Sequence, residues 1–172
     1  MAYQYVFGPV LSGRLGLSLG LDLLGCRACS MDCVYCEVGA TEILTLTRKV
    51  YAPAKDILAE LEDWASQGLE TEYVTLGGSG EPCLNTEMAA VIDGVRRILP
   101  GKKIAVLTNS TLLTDPQVRR ELAGADVVLP SMDTLVESEF RRINRTHRNI
   151  SALDIAKAML IFRREYAGLI HL

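Results

Sequence analysis

A chain of 172 residues is long enough for one domain that buries a real core. Hydrophobic residues make up 49% and charged residues 23%, an ordinary globular composition, and the formal charge of −3 argues against a broad nucleic-acid-binding face. No apolar run approaches the roughly 20 residues needed to span a bilayer, and the N-terminus lacks a charged-then-apolar signal pattern, so a cytoplasmic protein without a membrane partner is expected.

In chain order, residues 1–13 carry little periodic signal and read as an extended lead-in. From Leu15 to Leu23 leucines alternate with Gly16, Ser18, Gly20 and Asp22, and period two predicts a strand. Its leucine face suits packing under helices. Its small face suits a wall that a bulky group approaches closely, the alternative being a solvated face. Four of the five cysteines follow between Cys26 and Cys36, and Thr41 to Tyr51 reads as a connector.

Pro53 opens a helix to about Gln67, with Ile57, Leu58, Leu61 and Trp64 at helical spacing and Gly68 as its stop. Tyr73 to Leu76 is a short strand entering Gly77-Gly78-Ser79-Gly80-Glu81-Pro82. A helix from about Thr86 to Leu99, capped by Asn85, precedes the strand Lys103 to Thr108. Thr114 and Gln117 form a capping box for a short helix. Asp126 to Leu129 is a strand opening into Ser131-Met132-Asp133, and a polar, arginine-rich segment runs to Arg148. Ser151, with Asp154 three residues on, caps a helix to about Tyr166, and Leu169 to Leu172 reads as one more strand. Strands alternating with helices predict an α/β fold with a parallel sheet, whose ligands bind just past the strand ends.

Cys29, Cys33 and Cys36 stand at C-x3-C-x2-C spacing, so all three can face into one tight loop. Thiolates are the usual protein ligands of iron–sulfur clusters. Three is one short of the four that a cubane cluster takes, which leaves one iron open. The plain alternative is structural zinc with Cys26 as fourth ligand, but zinc sites separate their cysteine pairs by a dozen or more residues, not three. Cys26 or Cys83 could instead close an iron–sulfur cluster, giving an electron-transfer or structural metal module. In Gly77 to Pro82, glycines let backbone groups come close to a ligand. A dinucleotide fingerprint fails there, because Cys83 replaces the third glycine, Pro82 intrudes, and the next strand ends at Asn109 with no acidic residue. A plain glycine turn is the remaining alternative.

The octet Cys29 to Cys36, with Tyr35 before the last cysteine, resembles the C-x3-C-x-aromatic-C signature of the radical S-adenosylmethionine superfamily. Phe7-Gly8-Pro9-Val10, Gly16 to Gly20, Gly78 to Pro82 and Ile143-Asn144-Arg145 are similar to one branch, iron–sulfur oxidoreductases related to wyosine-forming tRNA modification enzymes. The resemblance implies a partial (β/α) barrel, here a single domain over 1–172 with its last strand or strands missing. It implies a [4Fe-4S] cluster on Cys29, Cys33 and Cys36. S-adenosyl-L-methionine would bind at the open iron, near Tyr35, Gly78, Ser79, Gly80, Glu81, Asn109, Ser131, Asp133 and Arg145. Turn chemistry explains Asn109, Ser131 and Asp133 equally well, and a solvated helix face explains the arginines. In the implied reaction the reduced cluster passes an electron to the sulfonium, and the 5′-deoxyadenosyl radical abstracts hydrogen from a substrate. The electron would come from an external flavodoxin- or ferredoxin-type donor. The chain departs from the family in having Cys83 where threonine is usual, and Thr146 where the Asn-Arg-Pro-His motif has proline.

Overall fold

The alternating leucines do form a strand. In the computed structural model, which describes residues 3–172, β2 (Gly16–Asp22) pairs antiparallel with β1 (Val6–Ser12). A separate ribbon joins β3 (Ala28–Cys29) to β4 (Ile43–Leu44) inside the region expected to be a plain connector. Then follow α1 (Ala54–Ser66), β5 (Tyr73–Gly77), α2 (Met88–Ile98), β6 (Lys103–Thr108), α3 (Pro116–Leu122) and β7 (Val127–Pro130). Last come α4 (Glu137–Asn144), α5 (Ala152–Glu165) and β8 (Leu169–Ile170).

The main sheet has the order β1-β2-β5-β6-β7-β8, and every pairing after the first is parallel. Because helices carry the chain from each parallel strand to the next, all five run the same way and their C-terminal ends share one rim. On the helix side, Leu19, Leu21, Val74, Leu76, Ile104 and Val106 are fully buried against Ile57, Leu61, Val91 and Val95. Burial of each such side chain contributes about 1.5–3 kcal/mol. The opposite side carries a smaller cluster, Leu15 with Ala105, Val127 and Leu129.

The lead-in is therefore mostly a strand; its first two residues lie outside the described ones. Its period was hidden because a bulge between Phe7 and Val10 shifts the register and flips which residues face the sheet. β1 also covers part of the small face of β2 through Phe7. A Cβ on Gly20 would lie 2.1 Å from the Phe7 ring, so the glycine there makes room for the chain's own aromatic. Three caps differ from expectation: Ser151 stands at the N-cap of α5, but its side chain makes no capping bond. Asp115, not Thr114, caps α3 by accepting from the Gln117 N–H at 2.8 Å, while Thr114 ends a preceding 3-10 turn. Asn85 stands three residues before α2; its Oδ1 accepts from the Glu87 N–H at 2.9 Å, a capping-type bond one turn early, while its Nδ2 donates to the Leu23 and Ala52 carbonyls at 2.7 and 2.8 Å. Most of the arginine-rich stretch is α4, too short and too polar to have shown an apolar period.

Candidate functional site

Three segments far apart in sequence hold the cysteine loop. From one side, Cys29 lies in the β3–β4 ribbon, and its carbonyl accepts from Thr45 N–H at 2.8 Å. From a second, the Glu81 N–H donates to the Ala28 carbonyl at 3.2 Å, and Gly80 passes so close that a Cβ would sit 1.9 Å from that oxygen. No other residue fits at Gly80. From the third, the end of α4 presents the Ile143 and Asn144 carbonyls, which accept from Val34 N–H at 2.9 Å and Asp32 N–H at 3.0 Å. Arg145 then turns the chain with φ of 44°, a left-handed conformation uncommon for a residue with a side chain, and His147 N–H reaches the Ser30 carbonyl at 2.9 Å. Carbonyls at a helix C-terminus lack helical partners, so the loop satisfies both itself and the helix end.

At the rim of the sheet, Cys29, Cys33 and Cys36 line one cavity of about 420 Å³. Tyr35, Gly78, Gly80, Glu81, Asn109, Ser131 and Asp133 line it too, so seven of the nine expected cofactor contacts and all three expected metal ligands share a site. Among the described residues, no three His, Cys, Asp or Glu side chains converge as they would on a single ion. The three thiols border the same cavity, and thiolates are the usual protein donors to iron–sulfur clusters.

Ser79 and Arg145 do not line the cavity. The Ser79 hydroxyl bonds to the Asp22 carboxylate, whose other oxygen accepts from Ser79 and Leu24 N–H groups at 3.2 and 3.0 Å. Asp22 thus fastens the glycine loop to the end of β2. Arg145 points outward and pairs with Asp32 at 3.4 Å. The residue of that motif which enters the site is its neighbour Asn144, only 2% exposed, with Nδ2 3.3 Å from the Cys33 sulfur. Leu107, Met132, Phe140 and Arg14 also line the cavity and carried no local sequence signal.

Glu81 is 2% exposed and keeps neither oxygen free. Oε1 accepts from the Thr108 hydroxyl at 2.8 Å and Cys83 N–H at 3.1 Å, and Oε2 accepts from Asn109 N–H at 2.7 Å. Burial raises its pKa and these bonds work against the rise. The carboxyl ties the glycine loop to the end of β6. Burial, then the Glu81 charge, pushes the Cys29 thiol up to about 12. Tyr35 is raised by burial and by its 2.5 Å hydrogen bond to Asp133.

The other two cysteines lie elsewhere. Cys83 is fully buried in the helix-side core, 3.6 Å from the Thr108 hydroxyl, with its pKa raised well above the usual value by burial and by Glu81. Cys26 packs against that same core, and neither lines the cavity.

Comparison with known proteins places this arrangement. A UPF0026 protein of Synechocystis sp. is 42% identical over 167 residues, covering 96% of this chain and 62% of the relative. One from Methanocaldococcus jannaschii is 35% identical over 165 residues, covering 94% of this chain and 50% of the relative. The chain therefore spans only about half to three-fifths of these relatives. A solved structure described as native anSMEcpe with bound AdoMet shares the fold, with a TM-score of 0.64 at 17% identity over 90% of this chain and 42% of that one. The family model for the radical SAM superfamily matches residues 23–165, from just after β2 to the end of α5, a span that includes all three cysteines of the loop, and the chain belongs to that superfamily.

Proposed function

We propose that Cys29, Cys33 and Cys36 hold a [4Fe-4S] cluster with one iron left for S-adenosyl-L-methionine, and that the protein is an enzyme of reductive S-adenosylmethionine cleavage. The chemistry such a cluster supplies is one-electron transfer to the sulfonium, releasing methionine and a 5′-deoxyadenosyl radical that takes hydrogen from a substrate. The single observation carrying this reading is that three thiols line the cavity while Cys26 and Cys83 lie outside it. That arrangement disfavours a fourth protein thiolate and, with it, the electron-transfer module.

The chain's own groups would divide the remaining work. Backbone groups of Gly78 and Gly80 border the cavity and would meet the polar end of the nucleotide, while Glu81, fully engaged by its three donors, keeps that loop in place. Tyr35, anchored through its hydroxyl to Asp133, offers a fixed ring edge, and Asn109 and Ser131 offer polar atoms at the ends of β6 and β7. Leu107, Met132 and Phe140 give the cavity an apolar wall, which keeps water from a reactive intermediate. An external one-electron donor is required, and a reducing compartment fits five free cysteines. Among the described residues no helix is long and apolar enough to cross a membrane.

The test is anaerobic reconstitution with iron and sulfide, followed by dithionite and S-adenosylmethionine. 5′-Deoxyadenosine and methionine are expected in equal amounts. An intact reduced cluster that yields neither overturns the proposal.

A further inference from the structure

Two asparagines reach the cysteine sulfurs from opposite sides of the loop. Asn109, at the end of β6, places Nδ2 3.3 Å from the Cys29 sulfur, and Asn144, at the end of α4, places Nδ2 3.3 Å from the Cys33 sulfur. Both amide orientations are fixed by partners that work only one way. Asn109 Oδ1 accepts from the Thr111 backbone N–H at 3.1 Å, which turns its NH2 toward the sulfur. Asn144 Nδ2 donates to the Asp133 carboxylate at 2.5 Å, which accepts and cannot donate when ionised. The cost of this second arrangement is visible: Asn144 Oδ1 is buried with no hydrogen-bond partner. A carbonyl so stranded is destabilising, and it persists because the donor end is held where it is. Among the described residues, no side chain donates to the Cys36 sulfur.

We infer that Asn109 and Asn144 are positioning residues that donate N–H···S hydrogen bonds to two of the three cluster ligands and thereby raise the reduction potential of the cluster. The inference rests on the cluster reading given above. One added electron makes the ligand sulfurs more negative, so a donor at sulfur stabilises the reduced form more than the oxidised one. Two such donors bring the cluster within reach of a protein one-electron donor, at the expense of some reducing power.

The experiment is an EPR-monitored redox titration of the reconstituted protein, with dithionite as reductant, for wild type, Asn109→Ala, Asn144→Ala and Thr41→Val. The last loosens the same loop by removing the 2.7 Å bond to the Met31 carbonyl without touching a sulfur. Each alanine variant is expected to lower the equilibrium constant for reduction about tenfold, a shift of 59 mV to more negative potential for one electron. Thr41→Val should leave the potential unchanged. Potentials that stay put or rise in both asparagine variants overturn the inference, as does a shift in Thr41→Val equal to theirs. Where an alanine variant fails to load iron, wild-type protein labelled with 15N only at asparagine gives the answer. Electron–nuclear double resonance of its reduced cluster should resolve couplings from two asparagine amides, and their absence overturns the inference. Wild type that takes up no cluster at all sinks the cluster reading itself, which iron and sulfide analysis detects separately.

Discussion

On the helix side of the sheet, Leu19, Leu21, Val74, Leu76, Ile104 and Val106 are fully buried and packed in one apolar core. Where the same strands end, Asp22, Thr108 and Asn109 are tied into a network with Ser79, Glu81 and Ser110. The helix side is held by area removed from water, which tolerates any well-fitting apolar shape. The rim is held by directional bonds whose partners must all be present, since a buried polar group left alone costs more than its bond contributed. Stability is therefore concentrated on one side of these strands, and the chemistry of the proposed site at their ends.

Substitutions can break that division. The largest effect is expected from Cys36→Ala: reconstituted protein should retain no intact cluster by iron and sulfide analysis, while urea unfolding of the iron-free chain shifts by no more than about 0.5 kcal/mol. Leu21→Ala, on the other side, should cost about 2–5 kcal/mol in the same unfolding measurement with iron per folded molecule unchanged. If iron falls in proportion to stability, the two regions are not separate. A finer test uses Tyr166, buried beside Phe162 with its hydroxyl donating to the Ala125 carbonyl at 2.8 Å. Burial raises its pKa from the ordinary 10 to about 12. The folded chain thus holds this proton more tightly than the unfolded one. Its contribution is complete below about pH 10 and is lost as pH rises toward 12, at about 1.4 kcal/mol per pH unit. Tyr166→Phe should flatten that alkaline slope. The smallest effect is expected from Cys83→Thr and Cys26→Ala, with iron content unchanged and stability altered by less than about 1.5 kcal/mol. A loss of iron in either would place a fourth thiolate at the cluster.

The parallel strands and most helices were legible in the sequence because apolar spacing encodes which face is buried, as at Leu19, Leu21, Ile57 and Leu61. The cysteine loop and the glycine stretch were legible because their residue types are tied to chemistry. β1 was not, since its bulge destroys the alternation that announces a strand. Arg145 was picked over Asn144 because charge stands out in a sequence, whereas which of two adjacent side chains turns inward depends on a left-handed backbone at position 145 that no pattern reports. Asp22 was counted among small residues on a strand face; its bonds to Ser79 become apparent only once β2 and β5 are adjacent.

The grip of α4 on the cysteine loop has a consequence for the order of events during synthesis. Asn144 and Cys33 are 111 positions apart, and the Asp32 and Val34 N–H groups of the loop find their acceptors at Asn144 and Ile143. While a ribosome is still making the chain, the thiols emerge early and wait without a shape until four more strands' worth of polypeptide has followed. Loading of the proposed cluster is therefore expected to follow completion of this segment, and nascent chains stalled before His147 should take up iron poorly.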